Sequence, residues 1–362
     1  MDRSIALLNS GTTYSLVPER AATKRDRRRA VRAYSRMFFA LAVFQIVGQL
    51  SALVIQVALI LMFGEEYAAE LFENPYVQMG MQVLCMYVLA FPAFLLCCLG
   101  LPKSKHIKSK MSFGEMLVLV LFGQACMSLV NLVTQPIISI FEEMIGYTED
   151  PALDAMVMNT PIWLIIAVMV IIGPIIEELM FRKILFDRMS VYGDRLAILV
   201  TSVAFGLFHA NLYQLFYTAC FGFVLGYAYA RTRRIKYPII LHMIANFLGT
   251  IPALLLSDYV LNVPEIDPGT TITPEMAEEV LVWFGATLTL LFTNYGLALA
   301  GIITVIVLLI LGRVHIPKTR EVRLPLYTLP RVTIFNLGAI IFGVVILALI
   351  VLPYAVALMP AG

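Results

Sequence analysis

Three groups of polar side chains between residues 177 and 246 could do chemistry in an otherwise apolar stretch of sequence. The first is Glu177-Glu178-Leu-Met-Phe-Arg182. Glu178 and Arg182 stand four apart, share a helix face and can pair. Glu177 lies about 100° round the helix from Glu178 and is free to point elsewhere, for instance into a cavity. Gly173-Pro174, one turn upstream, can loosen or kink that helix. The second group is Phe205-Gly-Leu-Phe-His209-Ala-Asn211, in which His209 is the only Asp, Glu, His, Lys or Arg between Leu196 and Ala230. The third is Tyr237-Pro238-Ile-Ile-Leu-His242-Met-Ile-Ala-Asn246. Pro238 suits a first helical turn, and His242 and Asn246 project from one face.

A carboxylate and a histidine held together can share and activate a water, the carboxylate taking a proton as general base. A histidine with an amide donor can stabilise the oxyanion formed when that water attacks a peptide carbonyl. The result is amide hydrolysis without a serine or cysteine nucleophile. One Glu and two His (Glu177, His209, His242) could instead hold zinc with an open coordination position. The H-E-x-x-H helix of many zinc proteases is absent. Plainer readings stand beside these. Glu178 and Arg182 could be a structural ion pair at the membrane edge, and His242 with Asn246 an interhelical polar clasp. Two adjacent carboxylates are more than one arginine needs, which favours function. The five cysteines (Cys85, Cys97, Cys98, Cys126, Cys220) all fall in apolar stretches and read as packing residues.

The elements that must position these groups follow from composition. Of 362 residues, 60% are hydrophobic and 14% charged, with mean hydropathy +0.87. An ordinary soluble domain carries about 25% charged residues, so a soluble enzyme is excluded, and so is a disordered chain. Nine stretches are long and apolar enough to be membrane helices: Met37–Phe63, Tyr76–Gly100, Phe113–Phe141, Pro161–Phe181, Leu196–Asn211, Tyr213–Ala230, Pro238–Ser257, Val280–Gly312 and Val332–Pro360. The eighth holds Asn294 and is expected to tilt or kink there. All 26 Lys and Arg fall in the N-terminal arm and in alternate connections, whereas 15 of 24 acids fall in the opposite loops. The positive-inside rule then places the N-terminus in the cytoplasm and the C-terminus outside, as an odd helix count requires. The fold class is all-α, a polytopic membrane helical bundle of about nine helices. It divides into a basic cytoplasmic arm (1–36), N-terminal helices (37–160), a core with the chemical groups (161–257) and C-terminal helices (258–362). The first apolar run is too long for a signal peptide. The arm is expected to be loosely ordered, with its basic end on anionic lipid headgroups; no nucleic-acid partner is expected. His106 and His315 lie in basic loops and read as solvated. Gly222-x-x-x-Gly226 permits close backbone approach. Counting depth from the flanking arginines leaves Glu177 about 7 Å and His209 about 21 Å inside the same membrane edge. These depths meet only if Phe186–Asp194 runs along the interface, if helices tilt, or if a water-filled cone opens inward; a cone is expected.

At these residues the chain resembles the CAAX prenyl protease and bacteriocin-processing family of membrane proteases, also called CPBP or Abi proteins. Glu177, Glu178 and Arg182 match its E-E-x-x-x-R pattern, Phe205 and His209 its F-x-x-x-H, and His242 and Asn246 its H-x-x-x-N. The stretch from Gly222 through Gly226 and Arg231 to Pro238 and His242 is also similar. The resemblance covers roughly residues 160–250. It implies a membrane-embedded endopeptidase acting on a membrane-associated peptide or protein, with a polar cavity facing the cytoplasm. It further implies that Glu177 activates water with help from His209, that His242 and Asn246 form the oxyanion site, and that Glu178 and Arg182 support helix 4 and tune Glu177. No cofactor is favoured, because Asn246 suits a donor role better than a ligand role; zinc stays open. Two other functions stay open at this point. One is a non-catalytic peptide-binding immunity or scaffold protein. The other is an ion-coupled transporter, for which internal repeats would be expected and none is visible.

Overall fold

The computed structural model describes residues 19–146, 159–261, 273–310 and 321–358. The expectations for the arm before residue 19, and for Glu149, Asp150, Asp154, Glu265, Asp267, Arg313, His315, Lys318 and Arg320, lie outside these residues. Nine helices follow the nine apolar stretches: α1 (Lys24–Phe63), α2 (Pro75–Cys98), α3 (Phe113–Ile145), α4 (Ile162–Tyr192), α5 (Asp194–Phe208), α6 (Leu212–Thr232), α7 (Lys236–Leu261), α8 (Pro274–Leu308) and α9 (Leu337–Ala357). Seven of them, all but α5 and α6, are long and apolar enough to cross a membrane. With 15 residues, α5 is too short to cross hydrocarbon alone.

The arm is more ordered than expected. Thr23 and Asp26 form a capping box that starts α1, so the basic segment from Lys24 to Arg36 is the first part of a 40-residue helix rather than loose chain. At about 1.5 Å per residue α1 is about 60 Å long, twice the hydrocarbon thickness, and its basic part stands outside. Just before it, Arg20–Ala21 (β1) pairs in parallel with Val322–Arg323 (β2). The basic connections gather at this one end of the bundle. Ser104 N–H donates to Asp187 O (2.8 Å), Ser109 N–H to Thr232 O (2.9 Å) and Glu321 N–H to Val191 O (3.1 Å). His106, expected to be solvated, is half-buried with Nε2 3.2 Å from Ser190 Oγ. At the opposite end the buried Glu142 of α3 accepts hydrogen bonds from Tyr213 (2.5 Å) and Tyr354 (3.0 Å), which ties α6 and α9 to α3.

Several long helices widen into π turns, and proline explains two of them. In α4 the turn Ile166–Ile172 is π-helical, and Gly173 N–H bonds to Val168 O, five residues back. The next donor in that register belongs to Pro174, which has no N–H. The carbonyl of Met169 is therefore left for another partner. In α2 the π turn Val83–Ala90 likewise ends with Phe91 N–H on Met86 O, followed by Pro92. In α8 a wide turn, Phe292–Gly296, contains Asn294, and Ser128 of α3 donates to Asn294 O at 2.8 Å.

The site is positioned by the α4–α5 hairpin. The chain stays helical through Lys183 to Tyr192 and reverses at Gly193, whose φ of +129° favours glycine. Glu177 precedes Gly193 by as many positions as His209 follows it. Two helices leaving one tight turn, each rising about 1.5 Å per residue, reach equal distance from it together. The two residues therefore share a level, and the discrepancy in depth disappears. Phe181 packs edge-on against Phe205 (5.1 Å) and Phe208 (5.2 Å) across this hairpin. Against it lies α6, where a methyl on Gly222 would stand 3.1 Å from Ser202 Cα and 3.2 Å from the Phe205 ring. The small residue is what allows this approach, as the sequence pattern indicated.

Candidate active site

Glu178 and Arg182 are both fully buried, and Arg182 Nε lies 3.1 Å from Glu178 Oε2. The pairing expected from their spacing is present, but it is an interior pair and Arg182 does not reach out to a membrane edge. One guanidinium nitrogen, Nη2, donates to Gly222 O of α6 at 3.0 Å. The guanidinium carbon sits 4.7 Å from the centroid of Phe205. Nη1 is a buried donor with no partner among the described residues.

The other Glu178 oxygen, Oε1, is 3.1 Å from His242 Nδ1 on α7. A carboxylate oxygen accepts, so Nδ1 carries the proton and Nε2 is turned away from Glu178. That Nε2 lies 3.8 Å from Glu177 Oε2. Glu178 therefore does more than support its helix. It joins Arg182 to His242 and fixes the imidazole that faces Glu177, in the manner of a carboxylate that orients a catalytic histidine. Glu177 is the half-buried member, its side chain 21% exposed, and Oε2 has no hydrogen-bond partner among the described residues.

His209 ends α5. Ala210, which follows it, has φ of +50°, and Asn211 then caps α6 by accepting from Gln214 N–H at 2.9 Å. This break between two helices, rather than a helical face, presents His209. Its Nδ1 donates to Phe205 O at 2.8 Å, which leaves Nε2 as an acceptor. The rings of His209 and His242 flank Phe205, with centroids 4.9 and 5.6 Å from it. Glu177 and His242 are electrostatic neighbours of His209.

Asn246 is half-buried on the same side of α7 as His242. Its Nδ2 donates to Met169 O at 2.8 Å, the carbonyl orphaned by Pro174. One of its two N–H groups is therefore spent on holding α7 against the π turn of α4. Gln45 of α1, which sequence reasoning passed over, donates to Phe208 O at 2.5 Å and secures the end of α5 beside His209. It is one of three glutamines in its apolar stretch, with Gln49 and Gln56, and no spacing in the sequence singles it out. Tyr87 of α2 was also passed over. It packs with Val168 and Met169 of α4 in a small second core.

Zinc would require Glu177, His209 and His242 to converge on one point. Both Nδ1 atoms are engaged, which leaves Nε2 of each ring as the nitrogen a metal would take. Among the described residues no three His, Cys, Asp or Glu side chains lie close enough together to hold a metal ion.

Residues 159–248 match the family model described as "Type II CAAX prenyl endopeptidase Rce1-like", a segment that contains all six candidate residues. Over 92 residues, 25% of the chain, it is 41% identical to YdiL of Bacillus subtilis, a proposed membrane peptidase, of which 38% is covered. Over 92 residues, 24% of the chain, it is 35% identical to the membrane-embedded CAAX protease MroQ of Staphylococcus aureus, of which 37% is covered. The chain thus spans under two fifths of the length of either relative. No solved structure matches it. For the matched segment, the resemblance to the CAAX protease family is borne out. The apolar helices and these relatives make the chain a multi-pass integral membrane protein.

Proposed function

We propose that the chain is a membrane-embedded endopeptidase that hydrolyses a peptide bond of a membrane-associated peptide or protein with a water activated by Glu177. The observation that carries this reading is the Arg182–Glu178–His242–Glu177 chain, with its 3.1 Å contact at Nδ1 and 3.8 Å approach at Nε2 of one imidazole. A water on Glu177 points one hydrogen at that carboxylate and the other at Nε2 of His209. Its lone pair is then directed at the scissile carbonyl carbon. Glu177 takes the proton as the new C–O bond forms. His242, as an imidazolium held by Glu178, offers Nε2–H to the oxyanion. When the C–N bond breaks, Glu177 returns its proton to the departing amine. With His242 protonated, two carboxylates and two cations balance within the buried site, which avoids an uncompensated interior charge.

The reading is tested by cleavage of a membrane-tethered peptide. Glu177→Gln and His209→Ala are each expected to lose at least about 10²-fold in rate; undiminished cleavage in both overturns it. No step is routed through a metal, so chelation is expected to leave the rate unchanged. A loss on chelation that zinc restores would overturn that part alone.

A further inference from the structure

We propose that the hydroxyl of Tyr87 on α2 is a further catalytic donor, stabilising the oxyanion in the same site. The inference rests on the peptidase reading above. A methyl placed on Gly173 would lie 3.1 Å from the Tyr87 hydroxyl and 3.9 Å from Glu177 Oε1. The absence of a side chain lets the phenol oxygen approach the wide turn of α4, where Val168 O is also 3.2 Å from that point, so the hydroxyl and Glu177 Oε1 both lie within 4 Å of one place. The hydroxyl makes no hydrogen bond among the described residues, and Glu177 is its charged neighbour. Tyr87 packs against a small core cluster that includes Val168, in the wide turn of α4 that precedes Glu177.

Addition of water turns the carbonyl oxygen into an alkoxide, which needs donors at about 2.7–3.1 Å. The donors near Glu177 are partly committed: Nδ1–H of His242 to Glu178, and one N–H of Asn246 to Met169 O. Tyr87 is uncommitted. As the water oxygen bonds to the carbonyl carbon, the C=O π pair moves to oxygen and the water proton moves to Glu177. Tyr87 donates a hydrogen bond to that oxygen and keeps its own proton. When the C=O re-forms and the C–N bond breaks, the proton on Glu177 goes to the amine and Tyr87 is unchanged.

Tyr87→Phe removes one oxygen and leaves the ring in its packing. Its kcat for the tethered peptide is expected to fall about 10²-fold, with KM and the melting temperature near wild type. A merely structural role would move the melting temperature instead. Wild-type kcat in Tyr87→Phe, with Glu177→Gln inactive in the same assay, overturns the Tyr87 inference and leaves the peptidase reading standing. A second measurement does not depend on turnover. With 3-fluorotyrosine at position 87, the 19F resonance of the full chain in detergent is expected to shift on Glu177→Gln. An unmoved resonance overturns the inference whatever the cleavage assay gives.

Discussion

Replacing Arg182 by methionine removes a buried cation while keeping a long side chain of similar reach. Arg182 Nε and Glu178 Oε2 are 3.1 Å apart and neither side chain is exposed, so solvent screening does not discount their attraction. At an effective dielectric of about 20 that attraction is about 5 kcal/mol. The change also removes a hydrogen bond to Gly222 O and the contact with the Phe205 face. Relief from desolvating the guanidinium offsets part of this, and removing one member of a buried pair costs about 3–5 kcal/mol in net terms. Arg182→Met is therefore expected to lose about that much, because the Glu178 carboxylate stays buried with His242 as its remaining partner. Glu178→Gln strands the guanidinium instead. Combined, Glu178→Gln/Arg182→Met leaves neither charge stranded and is expected to recover much of the loss, with a coupling of about 2 kcal/mol or more. Unfolding of the four proteins in one detergent, by heat at one scan rate and by denaturant, measures the cycle. Strict additivity, with the double variant as unstable as the two losses together, would refute the reasoning that these residues act as a buried unit. The double variant is also expected to lose activity, since a neutral amide at position 178 no longer favours the imidazolium that offers Nε2–H to the oxyanion.

Three further outcomes follow from the packing and capping. Asn246→Ala leaves Met169 O unsatisfied and should cost about 1–3 kcal/mol in the same unfolding assay. Pro174→Ala restores the missing N–H, so Pro174→Ala/Asn246→Ala should be more stable than Asn246→Ala alone, and an equal or lower stability contradicts the orphan-carbonyl account. A methyl on Gly206 would run into the carbonyl oxygen of Leu215 and lie 2.7 Å from Ala219 Cβ. Gly206→Ala should therefore be destabilising by about 1–3 kcal/mol despite its better helix propensity, and a raised melting temperature would contradict it. The guanidinium of Arg20, with Thr23, holds the carboxyl of Asp26 well below the usual carboxylate range. That stabilisation is full above the unfolded value near 3.8 and is lost as pH falls through the folded one. Asp26→Asn should flatten the fall in melting temperature below about pH 4, and an unaltered acid limb would count against this capping role.

The sequence made the apolar helices legible because hydrocarbon leaves the backbone so few choices. It also made legible the pairing of Glu178 with Arg182 and the shared face of His242 and Asn246, which follow from helical spacing alone. What it hid depended on a partner from a distant element. The depth of His209 comes out wrong when Arg195 marks a membrane edge, because the chain remains helical to Tyr192 and turns only at Gly193. Pro174 was visible as a kink, but the carbonyl it orphans has a partner only once α7 is placed beside α4. Tyr87 and Gln45 carry no motif and become significant only through what they face. The pairing of Arg20–Ala21 just ahead of α1 required β2, from a distant part of the chain.

The equal arms of the α4–α5 hairpin restrict how such a chain can change in length over evolution. One residue inserted on either side of Gly193 would carry Glu177 or His209 about 100° round its helix and about 1.5 Å along it, parting the carboxylate from the imidazole without touching either. Only at the reversal itself, Ser190–Gly193, can a residue be gained or lost without moving one catalytic group past the other. The two helical arms on either side of that turn are thus measured lengths in the gene, while the turn between them is free to vary.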